Sequence, residues 1–283
     1  MNQRGKWLAA PAFIWLLCFF LAPLFFIVFY SFFERGVYGE IVYRFTLSNY
    51  IRMADSIYVK ILLDTLAISV ITTVVTLLIA YPLAYYISGL PKRKQRIWLL
   101  LIMVPFWINF LIRSFAWIII LRSKGIVNSL LLEWGWIEKP LALLYNDGAV
   151  LLGMVYALLP FMVLPLYVSL EKLDRRKLEA AYDLGATPWK AFLYVTLPLM
   201  KHGIMNGSML VFVSSLGMFV VPDILGGAKS VLLGNLIQNQ FLSARDWPFG
   251  SSVSIILMVF SFILIVLYQK AVAAGQHWEG ERQ

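Results

Sequence analysis

Apolar residues in this chain come in runs longer than a soluble core uses. Trp7–Phe33 holds 27 residues without a charge, Thr65–Leu90 holds 26, Gly148–Leu170 holds 23, Gly203–Pro222 holds 20 and Trp247–Gln269 holds 23. A sixth run, Ile97–Leu121, is interrupted only by Arg113. A helix needs about 20 apolar residues to cross a bilayer core. The pattern therefore predicts an all-α polytopic membrane protein with six transmembrane helices, at about 7–33, 65–90, 97–121, 148–170, 203–222 and 247–269, built as a single transmembrane domain over 1–283. The first run is far longer than the roughly 7–15 apolar residues of a secretory signal. It is expected to be a retained helix, kinked or tightly packed at Pro23.

The polar segments between the runs set the orientation. With the N-terminus inside, the segments 1–6, 91–96, 171–202 and 270–283 carry 14 Lys and Arg in 58 residues. The opposite segments, 34–60, 122–148 and 223–246, carry 9 in 78. Basic residues collect on the cytoplasmic side, so both termini are expected there. Asp64 and Asp223 fall at span ends on this reading.

Composition narrows the function classes. Hydrophobic residues make up 61% of the 283 and charged residues 14%, with one cysteine, two histidines and a net charge of +9. One cysteine excludes an intrachain disulfide, and two histidines as widely separated as His202 and His277 argue against a His-based metal site. In so apolar a chain the positive charge suits anionic membrane lipid rather than nucleic acid. No phosphate-binding G-x-x-x-x-G-K-[ST] loop occurs; Gly226-Gly227-Ala228-Lys229-Ser230 echoes only its tail. No motif of a metalloprotease, dithiol oxidoreductase or serine hydrolase occurs either. No catalytic residue, cofactor site or metal site is assigned, and uphill transport would need an ion gradient or another subunit.

Ionisable groups within the runs are scarce. Arg113 lies about 24 Å along a helix from Ile97. It either snorkels to the outer surface or lines a path, and fits a gate or an interhelical contact. Trp107, Asn109, Tyr156 and Asp223, expected near the outer half of the runs, are candidates for a solute path. Each also has a plain structural explanation as an interfacial ring, an interhelical hydrogen bond or a helix end. Gly203 and Gly207 form a small-x3-small pattern that permits close packing, expected against a partner subunit.

The inside loop 171–202 carries the most local information. Asp174 can cap a helix running through Leu184, and Gly185 can end it in a left-handed conformation. Thr187 can then cap a second helix with Pro188 at its first position. Two short helices should meet at a sharp elbow, with Ala180, Ala181 and Gly185 leaving a small-residue face and Glu179 a charge beside it.

The spacing Glu179-Ala180-Ala181, Gly185, Val195-Thr196-Leu197-Pro198 resembles the E-A-A-x3-G-x9-I-x-L-P signature of ABC-importer permeases, with Val195 in place of isoleucine. Several segments are similar to the polyamine permeases of that family. They are Pro105–Arg113, Leu159-Pro160-Phe161-Met162, Glu171-Lys172-Leu173-Asp174, Asp223–Lys229 and Arg245-Asp246-Trp247-Pro248-Phe249-Gly250. The resemblance implies a bacterial inner-membrane permease of the spermidine/putrescine type. It also implies a second permease subunit, two ATP-binding subunits and a periplasmic substrate-binding protein. ATP hydrolysis would reside on the partner, and Glu179, Ala180, Ala181, Gly185, Thr187 and Pro188 would form the ATPase-coupling elbow. The same machinery serving another solute, and a stand-alone channel or ion-coupled carrier, are the alternatives.

Overall fold

The computed structural model describes residues 3–227 and 230–280. Helix α1 (Gln3–Tyr30) leads into a minimal hairpin, in which β1 (Glu34–Arg35) pairs antiparallel with β2 (Ile41–Val42). Helices α2 (Ser48–Arg52), α3 (Ser56–Ser88), α4 (Lys92–Trp107), α5 (Phe110–Leu121), α6 (Ile126–Glu133) and α7 (Asp147–Glu171) follow. Then come α8 (Arg175–Asp183), α9 (Pro188–Ala191), a π-helical turn Phe192–Thr196, α10 (Leu197–Leu199) and α11 (Lys201–Leu216). A second π-helical turn, Pro222–Gly226, precedes α12 (Leu233–Leu242) and α13 (Trp247–Gly280). Among the described residues the regular structure is all-helical apart from the two-residue strands.

Five stretches among the described residues are long and apolar enough to cross a membrane: Pro11–Tyr30, Ser56–Ser88, Phe110–Glu133, Asp147–Glu171 and Trp247–Lys270. Two expected spans are not continuous helices. The run 203–222 becomes α11, whose 16 residues end at Leu216, followed by irregular backbone and the Pro222–Gly226 turn. The run 97–121 is broken between α4 and α5. Pro105 has no N–H to offer the preceding turn, Ile108 is extended at ψ 136°, and the Asn109 side chain caps α5 by accepting from the Leu111 N–H at 2.9 Å. Helix α3 begins at Ser56 rather than Thr65, because Asp55 accepts from the Ile57 N–H at its start. Asp64 therefore lies about two turns inside the helix, exposed on its surface, and not at a span end.

Contacts divide the chain into two compact units. One comprises the described residues up to Leu62 together with Leu233–Ile263, and the other comprises Leu63–Leu232 with the described residues from Leu264 onward. The first unit has a small apolar cluster of Met53, Leu233, Leu236, Phe249 and Val253. Asp246, 4% exposed, organises it. One carboxylate oxygen accepts from the Phe249 N–H at 3.1 Å, capping α13, and the other faces Arg52 Nη1 at 3.0 Å. The Arg52 guanidinium lies 4.0 Å from the Phe249 ring centre. Gly250 then lets α13 pass Gln240 and Phe241, since an added Cβ would come within 3.2 Å of both. This is a structural reason for the Arg245–Gly250 motif.

The second unit is built around α7, on which Val150, Met154, Met162, Val163 and Leu166 are fully buried. Helix α11 packs on it through the two glycines. A Cβ at Gly203 would come within 2.2 Å of Ser169 Oγ, and one at Gly207 within 2.7 Å of Met162 Sδ. The small-x3-small pattern thus serves packing within the chain, not the partner contact expected of it.

Candidate functional site

The loop after α7 forms the elbow that its residues predict. The Asp174 side chain accepts from the Arg176 N–H at 3.1 Å and starts α8. At the other end Gly185 takes φ +80°. Its N–H donates to the Tyr182 carbonyl at 2.9 Å, and the Ala186 N–H reaches back to Ala181 at 2.9 Å. That pair of bonds is a Schellman closure, which satisfies carbonyls the helix end would otherwise leave open. Thr187 Oγ1 accepts from the Lys190 N–H at 3.4 Å and Pro188 opens α9. Helix α9 then widens into the π turn, where Leu197 N–H donates to Phe192, five residues back. Pro198 explains the widening: it lacks a donor, and its ring clashes with the carbonyl four residues earlier.

The elbow presents Leu184, Trp189 and Tyr182 to its surroundings, with Leu184 89% exposed. Glu179 and Ala180 are exposed beside them, and a Cβ built on Gly185 would meet nothing. An apolar surface flanked by the exposed carboxylates of Glu179 and Asp183 is what the loop offers to another protein.

A knot of polar contacts ties the elbow's root to the α3–α4 turn. Gln95, 6% exposed, donates from Nε2 to the Ser88 and Leu90 carbonyls and accepts from the Tyr167 hydroxyl at 2.8 Å. Lys92 donates to Glu171, and this bond holds the Lys92 ammonium above the ordinary lysine range. In the sequence this turn counts only as a basic inside segment, 91–96. The only signal otherwise was Gln95, the one uncharged residue of 92–96.

The solute-path candidates separate into a joined group and two outliers. The break after Trp107 leaves the Pro105 carbonyl without its helical donor, and Arg113 Nη1 donates to it at 3.0 Å. The Arg113 guanidinium lies 5.0 Å from the Phe110 ring centre and 5.5 Å from that of Tyr156. Tyr156 in turn meets Trp117 edge-on at 5.4 Å. Arg113 is thus an interhelical group between α4, α5 and α7, and it does not snorkel outward. Asn109 serves as the α5 cap. Trp107 is 73% exposed at the end of α4. Asp223 is exposed in the Pro222–Gly226 turn, and no described hydrogen bond or ion pair joins either residue to the Arg113 group. Ala228 and Lys229, at the end of the Asp223 motif, lie outside the described residues. Among the described residues no cluster of His, Cys, Asp and Glu could hold a metal.

No protein-family model matches the chain. It is 42% identical over 257 residues to the spermidine/putrescine transport system permease protein PotB of Escherichia coli (strain K12), covering 91% of this chain and 94% of that protein. The Haemophilus influenzae protein of the same name is 42% identical over 270 residues, 95% of this chain and 94% of its own. The inner membrane ABC transporter permease protein YdcU of E. coli is 30% identical over 236 residues, 79% and 74% respectively. Among solved structures, a bacterial ABC transporter involved in the import of alginate superposes with a TM-score of 0.72 at 16% identity, over 95% of this chain and 96% of that one. At that identity the likeness speaks for the fold alone.

Proposed function

This chain belongs to the permeases of ABC importers, a family of multi-pass membrane subunits without catalytic machinery of their own; from that membership we propose that it takes up polyamines of the spermidine and putrescine class. The observation that carries the substrate is the 42% identity to spermidine/putrescine permeases over nearly the whole chain. A second permease subunit completes the path, a periplasmic binding protein delivers the solute, and two ATPase subunits drive it. Both termini lie in the cytoplasm, consistent with the Lys and Arg bias.

The elbow is the ATPase contact on this reading. Its Schellman closure and Thr187 cap give it a fixed shape. The exposed Leu184, Trp189 and Tyr182 supply apolar area that docking would bury. Asp223 attracts the cation toward the path and the exposed Trp107 offers a π face, while the Tyr156 ring is taken up by Arg113. Arg113 keeps the broken span closed rather than binding the solute.

Deleting the gene in its own host should abolish energy-dependent uptake of labelled spermidine, putrescine or both at limiting concentration. Re-expression should restore it, and Asp223→Asn should restore less. Unchanged uptake of both amines after deletion would remove the substrate assignment and point to another solute.

A further inference from the structure

A groove of about 660 Å³ follows the seam where α7 packs on α11, and the start of α8 closes its elbow end. No residue assigned to the ATPase contact lines it. Its two ends differ in chemistry. Lys172, Lys177 and His202 stand exposed at the elbow end, and neither lysine pairs with a described acidic side chain. Asp174 is the one carboxylate in the lining, and it already accepts from the Arg176 N–H as the cap of α8. Farther in, the Asn206 carbonyl oxygen accepts from the Tyr268 hydroxyl at 3.0 Å, which leaves the amide N–H groups as donors. The last stretch is apolar. It is walled by Phe161, Leu164 and Leu210, and the Phe161 ring meets Phe106 of α4 edge-on at 5.4 Å.

The dimensions match one leaflet of a bilayer. Lys172 follows Phe161 by 11 positions, and Leu210 follows Leu199 by 11, so the groove runs about 16 Å along the helices. Half of a hydrocarbon core is about 15 Å. The cationic mouth lies at the end of α7, and the apolar floor lies toward the middle of the membrane. Val168, Leu199 and Leu210 are 46%, 43% and 48% exposed along this length, apolar area that a hydrocarbon chain would cover. The charge at the mouth discriminates among occupants. It repels a polyammonium ion. A helix of another subunit seated there would bury two ammonium groups without partners, which is costly. A small soluble anion would leave the apolar length bare. A phosphate joined to an acyl chain satisfies both ends.

We propose that this groove holds one anionic phospholipid of the elbow-side leaflet. Its phosphate sits at Lys172, Lys177 and His202, and one acyl chain lies along Leu164 and Leu210 toward Phe161. Basic pockets between spanning helices are a recurrent form of headgroup recognition. Two segments singled out in the sequence, 159–162 and 171–174, contribute to it, the first the Phe161 floor and the second the Lys172 mouth. So held, the lipid ties the end of α7 to α11 and to the start of α8, and the composition of the membrane sets how firmly the root of the elbow is fixed. The site does not depend on which solute is carried.

The test is native mass spectrometry of the complex purified through this chain and titrated with dioleoylphosphatidylglycerol or dioleoylphosphatidylcholine. A phosphatidylglycerol is expected to stay bound where phosphatidylcholine is lost, and two variants assign it to this chain. The doubly substituted Lys172→Gln, Lys177→Gln chain should bind it about thirtyfold more weakly, near fivefold for each lysine. Leu210→Trp fills the apolar end without touching the charge and should weaken binding about tenfold. Glycerol phosphate carries the headgroup anion without a chain and should not compete. Equal retention of both lipids, unchanged affinity in the lysine variant, or full competition by glycerol phosphate would each overturn the site. Loss of the second permease subunit from Leu210→Trp would overturn it in favour of that subunit. Spermidine binding in phosphatidylcholine nanodiscs that Leu210→Trp abolishes would overturn it in favour of the solute. If neither variant assembles, the lipid comparison and the glycerol phosphate competition decide on the wild-type complex.

Discussion

Arg113 donates to the Pro105 carbonyl across the break in the third apolar run, and its guanidinium reaches the Tyr156 ring on α7. One side chain therefore supplies the donor that the broken helix lacks and joins both halves of that run to the most enclosed helix of the fold. An ionisable residue at this depth is tolerated because a backbone carbonyl and two rings receive it.

Replacing Arg113 should therefore act on stability first. Arg113→Met leaves the Pro105 carbonyl unpaired and removes a charged hydrogen bond worth roughly 1.5–3 kcal/mol. The thermal midpoint of the purified complex should drop, with Arg113→Lys in between. A midpoint equal to wild type in the Met variant would mean that the bond carries no weight.

Gly185 separates backbone strain from steric fit. Its φ of +80° penalises a β-branched residue, while no atom among the described residues lies within 4 Å of a Cβ built there. Gly185→Val should cost on the order of 1 kcal/mol or more in elbow geometry and abolish uptake. Asn tolerates the left-handed region, so Gly185→Asn tests the space alone. Retained uptake and ATPase copurification in Asn, with loss in Val, would assign the glycine to its conformation. Loss in both would assign it to close approach of the partner. Normal uptake in both would dismiss the elbow as the coupling element.

Asp246 couples a helix cap to an ion pair, and two substitutions separate them. Asp246→Ala loses both and should destabilise by about 2 kcal/mol, most of it from the cap, because Arg52 is 45% exposed and its pairing is screened. Asp246→Asn keeps an acceptor for the Phe249 N–H and should lose less than half as much. Arg52→Met should match Asn rather than Ala. Denaturation of the reconstituted protein measures all three, and equal losses for Ala and Asn would show that the charge, not the cap, dominates.

The Lys92–Glu171 pair gives a pH dependence of known sign. Bonding to Glu171 raises the lysine above its ordinary 10.5. Its stabilisation is complete below that value and disappears as pH rises through the raised one. The melting difference between wild type and Lys92→Met should thus be the same at pH 7 and pH 9. A difference that already closes between those values would place the titration on another group.

What the sequence revealed divides along the range of each interaction. The elbow was legible because Asp174, Gly185, Thr187 and Pro188 act within a few residues of themselves. Six apolar runs were legible, but not their interruptions. Ile108–Asn109 breaks a helix where hydropathy stays high, and Arg113 repairs the break with a contact that charge alone would have sent outward. Gly203 and Gly207 announced close packing without saying against what. The Arg52–Asp246 pair spans 194 positions, and no local pattern connects its members. The starting point of α3 was missed because Lys60 and Asp64 sit on an exposed surface of a helix that continues beneath them.

The lacing of α7 has a mechanical corollary. At one end Tyr167 grips the α3–α4 turn through Gln95, and Ser169 close by seats Gly203 of α11; further along, Tyr156 receives Arg113; between them Met162 seats Gly207. The elbow hangs from the end of this same rod. A pull on the elbow is therefore delivered to an axle with three attachments. The joint at Ile108–Asn109 lets α4 and α5 answer that pull by different amounts.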